Sequence, residues 1–201
     1  MLRRASQTSE VYNRCMFPAI FLDRDGVLIE NRANYIRAWS HVQIFSEAVR
    51  ALAHPSIQNY KIVIVTNQSA VGRGLIDLET ALSINKQLLN VIRQSGGRID
   101  GVYICPHTPD AGCLCRKPKP GLLLRAASEL NLDLFTSWMI GDAWTDVQAG
   151  QNAGVQHTIL LKTGRGSQQL LQPHPENLAT PLIFADLRQA FDHIRGADNE
   201  T

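Results

Sequence analysis

The chain has 201 residues, enough for one domain with a full hydrophobic core and too few to predict a second. Hydrophobic residues make up 44% of it and charged residues 19%, which excludes a disordered or low-complexity chain. The formal net charge of +2 is too balanced to predict nucleic-acid or membrane binding, and no apolar run approaches the ~18–20 residues that span a bilayer. We therefore expect a single-domain, cytoplasmic protein.

The two ends of the chain are expected to lie outside the folded domain. Residues 1–15 contain arginines but no apolar stretch, so they do not form a secretory signal. We expect a disordered leader over 1–15, although an organelle-targeting arm is an alternative. The folded domain is then predicted over 16–195, with a short tail over 196–201.

Short apolar runs rich in β-branched residues alternate along the chain with segments of helical period. Strands are predicted at 17–22, 61–65, 101–105, 137–140 and 157–161. Helices are predicted at 46–53, 77–95, 120–131, 145–153 and 186–194, the last of them after a loop over 172–181. This alternation predicts an α/β fold with a doubly wound, Rossmann-like, mostly parallel sheet and helices on both faces. No insertion is long enough for a large cap domain, so an open site is expected.

Polar residues follow four of the predicted strands, at the ends where open parallel sheets bind their ligands. In chain order these clusters are Asp23-Arg24-Asp25-Gly26, Thr66-Asn67-Gln68-Ser69, Arg116-Lys117, and Gly141-Asp142 with Asp146. All four should therefore meet at one edge of the sheet.

The first cluster offers two carboxylates with separate uses. Asp23 could attack a phosphoryl group, because aspartate forms aspartyl-phosphates. Asp25 could then protonate the leaving oxygen and later activate water. A lone DxDG is equally typical of a solvated turn or a calcium loop, so the assignment depends on the other clusters.

The other clusters supply groups that bind phosphate. Thr66 offers a hydroxyl, and the backbone N–H groups of Asn67, Gln68 and Ser69 could form an anion cradle. Lys117 and Arg116 could neutralise and grip phosphoryl oxygens. Each of these features by itself is more typical of a polar loop or a charged surface.

Acidic residues of the fourth cluster suit a magnesium ion. Asp142 and Asp146 add oxygen ligands at the end of the fourth strand, where they could hold Mg²⁺ together with Asp23. Asp146 could equally cap the helix that follows it.

Three of the four cysteines and one histidine lie within eleven residues, in the pattern C-x-H-x5-C-x-C. Cys105, His107, Cys113 and Cys115 match a closed, structural Zn²⁺ site. The alternative is three buried thiols and a surface histidine. A zinc-binding loop would hold the adjoining Arg116-Lys117 segment at the mouth of the site.

The order of the clusters (DxD, then Thr, then Lys, then GDxxxD) resembles the haloacid dehalogenase superfamily of phosphotransferases. The resemblance covers roughly residues 17–166. It implies that Asp23 is the nucleophile, that Asp25 is the acid/base, and that Thr66 and Lys117 bind the phosphate.

The same resemblance implies a set of magnesium ligands. These are Asp23, the backbone carbonyl of Asp25, and Asp142, whereas Asp146 supports the site without contacting the metal. The implied cofactors are thus a catalytic Mg²⁺ and a structural Zn²⁺.

The zinc loop, DRDGV, TNQSAVGRG (66–74) and RKPKPG (116–121) resemble one branch of this superfamily, which holds heptose bisphosphate phosphatases and histidinol-phosphatases. The last two segments favour the heptose enzymes. The five-residue gap between His107 and Cys113 favours histidinol-phosphatases, and Ala143 stands where heptose enzymes commonly have lysine.

The resemblance implies a Mg²⁺-dependent phosphomonoester hydrolase that removes the 7-phosphate of D-glycero-D-manno-heptose 1,7-bisphosphate. Histidinol phosphate or another small sugar phosphate is the alternative substrate. A non-enzymatic zinc-loop adaptor is disfavoured, because no aromatic residue accompanies the basic residues after the cysteines. We expect a monomer that binds a small phosphorylated sugar and neither nucleic acid nor a membrane.

Overall fold

Six strands in the computed structural model, which describes residues 16–198, pair in parallel to form a single sheet. They are β1 (Phe17–Leu22), β2 (Lys61–Asn67), β3 (Gly101–Cys105), β4 (Leu132–Gly141), β5 (His157–Leu161) and β6 (Leu182–Phe184). Their order across the sheet is β3-β2-β1-β4-β5-β6. The order reverses at β1, which places the ligand-binding crevice at the carboxyl ends of β1 and its neighbours.

Seven α-helices and three 3-10 turns connect the strands within the described residues. The helices are α1 (Ser46–Ala51), α2 (Ser69–Gly72), α3 (Leu78–Gln94), α4 (Gly121–Leu130), α5 (Trp144–Ala153), α6 (Gly166–Gln169) and α7 (Leu187–Asp198). The 3-10 turns are Trp39–His41, Pro55–Ile57 and Pro109–Ala111. In residues 16–198, no helix has both the length and the apolar character needed to cross a membrane.

The central strands are covered on both faces, because alternate residues of a strand point to opposite sides. In β1, Ile20 and Leu22 join the core beneath α1, α3 and α7, whereas Ala19 and Phe21 join the core beneath α4 and α5. All four of these side chains are fully buried. The predicted doubly wound α/β fold with helices on both faces is therefore confirmed.

The boundaries of several elements differ from the prediction. Strand β4 begins at Leu132, five residues earlier than predicted, and its register with β1 shifts between Pro18 and Ile20. Strand β6 was not predicted, because it is only three residues long and two of them are exposed at the sheet edge. Helix α7 continues to Asp198, beyond the predicted end at 194. The predicted leader over 1–15 lies outside the described residues.

Candidate active site

A cleft of about 330 Å³ opens at the carboxyl ends of the strands. The loop after β1, the start of α2, the segment before α4 and the first turn of α5 all line it. Asp23, Asp25, Asn67, Gln68, Ser69, Arg116, Lys117 and Asp146 are among its lining residues. The structure thus brings the four predicted clusters to one place, as the parallel topology requires.

Three carboxylates meet beneath this cleft. Oxygens of Asp23, Asp142 and Asp146 all lie within 4.8 Å of one another, and all three residues are buried. Lys117 joins them from the segment before α4: its Nζ lies 2.8 Å from Asp23 Oδ1 and 2.7 Å from Asp146 Oδ1. The same ammonium donates to the backbone oxygen of Val65 at 2.7 Å.

The electrostatics of this cluster favour a bound cation. Burial raises the pKa of Asp23 to about 6, with Lys117 acting in the opposite direction. Burial also raises the pKa of Asp142 and of Asp146. Burial alone would lower the pKa of Lys117, but the Asp146 and Asp23 carboxylates raise it above its usual value. Three carboxylates face two cations, Lys117 and the half-exposed Arg165, so an excess of negative charge remains.

The donor set at this cluster fits Mg²⁺. The ion prefers carboxylate and carbonyl oxygens, and it would neutralise the excess negative charge. Asp23 and Asp142 supply the predicted carboxylates. The Asp146 carboxylate is already paired with Lys117 and accepts from the backbone N–H of Ala143 at 3.1 Å, which fits the supporting role implied for it.

Asp142 is held from several sides. Arg165 contacts it through its backbone N–H at 2.8 Å and through Nη2 at 3.3 Å, and Asn31 donates its side-chain amide to the same carboxylate. Gly26 must be glycine here, because its φ is +91° and a Cβ would lie 2.0 Å from Asp142 Oδ2. The turn after β1 can therefore approach the Asp142 carboxylate closely.

Asp25 faces a different set of partners from Asp23. Its Oδ2 accepts from Arg24 Nη2 at 2.8 Å and from Gln68 Nε2 at 2.9 Å. The Asp25 carboxylate does not belong to the three-carboxylate cluster, yet it lines the same cleft. The two acids of the DxD motif are thus separated into different environments, as distinct chemical roles require.

Residues 66–68, at the end of β2, make more hydrogen bonds within the protein than the sequence predicted. The backbone N–H of Gln68, expected to form part of an anion cradle, donates instead to Cys105 O at 2.7 Å. Thr66 is fully buried and accepts from Gln68 Nε2, so it lies beneath the cleft. The Asn67 side chain pairs with the backbone of Lys117 in both directions, at 3.1 Å each. Asn67 therefore positions Lys117.

The four predicted zinc ligands come together in the loop between β3 and α4. Cys115 Sγ lies 3.3 Å from Cys105 Sγ, 3.5 Å from Cys113 Sγ and 3.3 Å from His107 Nδ1. The edges of a tetrahedron with ~2.3 Å Zn–S bonds are roughly 3.8 Å long, so this set fits one Zn²⁺ with little adjustment. Burial raises the pKa of the Cys105 thiol to about 12.

Hydrogen bonds connect this zinc loop to the cleft. Arg116 Nη1 donates to Ser69 Oγ at 2.7 Å and to His107 O at 3.2 Å. Lys119 Nζ donates to Cys113 O at 2.8 Å. The segment that carries Arg116 and Lys117 is therefore attached to the ligand loop on one side and to α2 on the other.

Three residues at the cleft were not among those predicted from the sequence. Arg165 and Asn31 hold Asp142, and Arg73 lines the cleft with its guanidinium 6.0 Å from the Tyr35 ring centroid. Arg165 follows β5, whose carboxyl end lies at the same edge of the sheet, so topology could have indicated it. Asn31 lies on an irregular loop. The segment 31–35 resembles a substrate loop of the heptose branch, but that resemblance did not indicate a contact between Asn31 and Asp142.

The importance of Lys117 for the buried cluster can be tested through stability. We expect Lys117→Met to lower the free energy of unfolding by about 3–5 kcal/mol near pH 7, because it leaves Asp23 and Asp146 buried without their cation. The raised pKa of both carboxyls means that protonation near pH 5 relieves part of this loss. Urea denaturation at both pH values measures the effect, with Lys86→Met on the exposed face of α3 as the control. An equal loss at both pH values would contradict the paired-charge account.

A cluster of buried carboxylates paired with a lysine, at the switch point of a parallel sheet, is the arrangement expected of a metal-dependent phosphatase that uses an aspartate nucleophile. The HAD-hydrolase-like family model matches residues 114–190.

Known proteins named heptose bisphosphate phosphatases match most of the chain. D-glycero-beta-D-manno-heptose-1,7-bisphosphate 7-phosphatase from Pseudomonas aeruginosa is 35% identical over 168 residues, 84% of this chain and 92% of its own. The Photorhabdus laumondii protein of the same name is 37% identical over 187 residues, 89% of this chain and 97% of its own. A crystal structure of D,D-heptose 1,7-bisphosphate phosphatase from B. bronchiseptica, complexed with magnesium and phosphate, has a TM-score of 0.82 at 31% identity and covers 90% of this chain and 99% of its own.

The chain therefore belongs to the haloacid dehalogenase-like phosphatases, in the branch that contains the heptose bisphosphate phosphatases. The superfamily predicted from the four clusters is confirmed, and so is the branch predicted from the zinc loop and its neighbouring segments.

Proposed function

We propose that this chain removes the 7-phosphate of D-glycero-D-manno-heptose 1,7-bisphosphate, acting as a cytoplasmic monomer. The observation that supports this substrate most directly is the charge of the cleft. Lys117 and Asp23 lie within it, and Arg32, Arg73, Arg116 and Arg165 also line it. One phosphate at Asp23 does not use this many cations, whereas a bisphosphate does.

The reaction begins with attack by Asp23 on the phosphorus of the ester. A bond forms between a carboxylate oxygen and phosphorus while the bond from phosphorus to the sugar oxygen breaks, and Asp25 gives its proton to that leaving oxygen. The ion pair with Lys117 orients the Asp23 carboxylate at 2.8 Å, and the ammonium stabilises charge on the transferring group. The product of this step is an aspartyl-phosphate on Asp23.

Hydrolysis of the aspartyl-phosphate uses the same two acids. Asp25, now deprotonated, takes a proton from water as the water oxygen attacks phosphorus, and the bond between phosphorus and Asp23 breaks. A Mg²⁺ ion held by Asp23, Asp142 and the backbone carbonyl of Asp25 would neutralise charge on the phosphoryl oxygens.

The rim of the cleft is suited to a second phosphate. Among residues 16–198, the side chain of Arg116 donates through Nη1 to Ser69 and His107, which leaves its Nε and Nη2 for a ligand, and Arg73 lines the cleft beside Tyr35. Arginine forks bind phosphate in a bidentate way. We assign the 1-phosphate to these two guanidinium groups. Ala143 stands where heptose enzymes commonly have a lysine, so it supplies no cation to the site. Arg165, on the loop after β5, supplies one near Asp142 instead.

Histidinol phosphate fits the same cleft less well. It carries a single phosphate and a cationic ammonium group. The carboxylates that line the cleft are the ones that the reaction itself needs, and five arginines line the same cleft. Positive charges lining the cleft oppose binding of a cationic substrate.

The proposed substrate can be tested by phosphate release from heptose 1,7-bisphosphate (both anomers), heptose 7-phosphate, histidinol phosphate and short nucleotides. We expect the highest kcat/KM for the bisphosphate. Arg73→Ala should raise KM for the bisphosphate about tenfold, the loss of one good phosphate contact, and change KM for heptose 7-phosphate little. Arg93→Ala, on the exposed surface of α3, is the matched control. Equal or greater turnover of histidinol phosphate would refute the assignment.

A further inference from the structure

Arg24, between the two acids of the DxD motif, points into the protein although it lies in a loop. The residue is only 1% exposed, and it is the largest of the fully buried side chains. Its Nη1 donates to Asn85 Oδ1 at 2.8 Å, and its Nη2 donates to Gln68 Oε1 at 3.0 Å and to both oxygens of Asp25 at 2.8 and 3.0 Å. The guanidinium therefore joins Asp25 to the body of the protein.

Asn85 is an unusual residue for its position on α3. It lies on the buried face of this helix with Ala81, Ile84, Leu88 and Ile92, and it is only 4% exposed. Asparagine is a weak helix former, and burial of its amide is costly unless it is hydrogen-bonded. Its Oδ1 accepts a hydrogen bond from Arg24, so the role that explains an asparagine at this position is to hold the Arg24 guanidinium.

The network is not arranged for maximum stability. Arg24 Nε and Asn85 Nδ2 are buried, and neither has a hydrogen-bond partner within residues 16–198. An unpaired buried polar atom destabilises the fold, and apolar side chains of similar volume often replace a buried ionic group without loss of stability. The bonds that are formed all hold the guanidinium in one orientation, facing Asp25.

Gln68 completes the arrangement, and its amide can be oriented in only one way. Because Arg24 can only donate, the Gln68 oxygen must face it, which turns Nε2 toward Asp25 Oδ2 and Thr66 Oγ1. Asp25 Oδ2 thus accepts two hydrogen bonds, whereas Oδ1 accepts one, from Arg24 at 3.0 Å. Oδ1 is left as the oxygen better able to exchange a proton with a bound substrate.

We propose that Arg24 and Asn85 are positioning residues for proton transfer, which aim the Asp25 carboxyl at the leaving oxygen of the phosphate ester. Neither residue touches the reacting atoms, and both act through Asp25. The inference rests on the proposed function, in which Asp25 is the acid/base. It extends that function to a residue on α3, outside the four clusters of the sequence.

The test is the dependence of phosphorylation on the leaving group. A poor leaving group needs protonation as the ester bond breaks, whereas p-nitrophenolate does not, so a misplaced acid slows only the former. Release of phenol or nitrophenol is measured in a single turnover, with enzyme in excess over phenyl phosphate or p-nitrophenyl phosphate. Neither substrate depends on the heptose assignment.

We expect Asn85→Leu to raise the ratio of the p-nitrophenyl rate to the phenyl rate about tenfold over the unmodified protein, a part of the ~10²–10⁴-fold that general acid catalysis supplies. Arg24→Lys keeps the positive charge but removes the guanidinium that bonds Asn85, Gln68 and Asp25 at once, so it should raise the ratio similarly. Asn90→Leu makes the same change on the exposed face of α3 and should leave the ratio unchanged. Asp25→Asn should raise the ratio the most.

The outcomes separate the two proposals. If Asn85→Leu and Arg24→Lys lower both rates by the same factor while Asp25→Asn raises the ratio, then Arg24 and Asn85 have only a structural role. The positioning proposal is then overturned, and the acid role of Asp25 stands. If Asp25→Asn leaves the ratio unchanged, the acid role of Asp25 fails and the positioning proposal fails with it. Should Asn85→Leu not fold, Arg24→Lys and Asn85→Ala decide by the same ratio.

Discussion

Replacing Asp23 with asparagine is expected to lower kcat by more than a hundredfold, a loss above about 2.7 kcal/mol. The amide cannot form the bond to phosphorus, so no aspartyl-phosphate accumulates. Phosphate release and acid-quench trapping of the phosphoenzyme measure the two effects. A variant that keeps more than about a hundredth of the original rate would show that Asp23 is not the nucleophile.

The stability of the same variant provides the control for folding. Because burial raises the pKa of Asp23 to about 6, above its usual value, the folded protein binds this proton more tightly than the unfolded chain does. The resulting stabilisation is complete below about pH 4 and is lost as the pH rises through about 6. Asparagine resembles the protonated form. In magnesium-free buffer we therefore expect Asp23→Asn to melt above the original protein at pH 7, with a smaller difference at pH 4.

A lower melting temperature for Asp23→Asn at pH 7 would contradict this account of the acid cluster. It would indicate that the ion pair with Lys117 outweighs the burial of the Asp23 charge. Activity lost together with stability would also weaken the nucleophile assignment, because misfolding could then explain the inactive enzyme.

The central strands could be predicted from the sequence because they are buried on both faces. Lys61–Asn67 contains an unbroken apolar run, and a run this short between helical segments is typical of a strand in the middle of a parallel sheet. The edge of the sheet was less predictable. β6 has three residues, with Leu182 and Ile183 exposed, and a pattern this short carries no periodicity.

The chemistry-bearing residues of the site were predictable, but their pairing was not. Motif spacing singled out Asp23, Lys117 and Asp142, because each follows a strand at the same edge of the sheet. It could not show that Lys117 bridges two carboxylates, since that depends on how the segment before α4 crosses the end of β2. The role of Arg24 was not predicted for a related reason. The DxD pattern identifies the two acids, whereas the direction of the Arg24 side chain depends on its hydrogen bond to Asn85 on α3.

Loss of the zinc ligands should have the second large effect. We expect Cys113→Ser together with Cys115→Ser to abolish zinc binding and lower the melting temperature by ~10 °C or more. Structural zinc supplies several kcal/mol, and each kcal/mol corresponds to ~2–4 °C in a chain of this length. Elemental analysis should find about one zinc per chain in the original protein and none in the variant. Asp110→Asn, an exposed change within the same loop, is the control.

Activity should fall in the zinc-free variant even at temperatures where it remains folded. Arg116 and Lys117 directly follow Cys115, the last of the predicted zinc ligands, and Arg116 donates to the backbone oxygen of His107, another of them. A loosened loop therefore displaces the phosphate-binding cations while leaving the carboxylates in place. Added Mg²⁺ should not restore turnover, because thiolates favour Zn²⁺ and the oxygen cluster favours Mg²⁺. By contrast, a mild chelator that removes only Mg²⁺ should stop turnover reversibly.

Lowering the pH should also distinguish the zinc site from the magnesium site. Zinc binds thiolates, and the pKa of the metal-free Cys105 thiol lies at about 12, so protons compete strongly for this ligand as the pH falls. We expect zinc release below neutral pH to precede global unfolding, with loss of activity following the zinc content. Unchanged melting temperature and activity in the double serine variant would instead mean that the cysteines are ordinary loop residues, and that the hydrogen bonds of Arg116 and Asn67 alone hold Lys117 against Asp23.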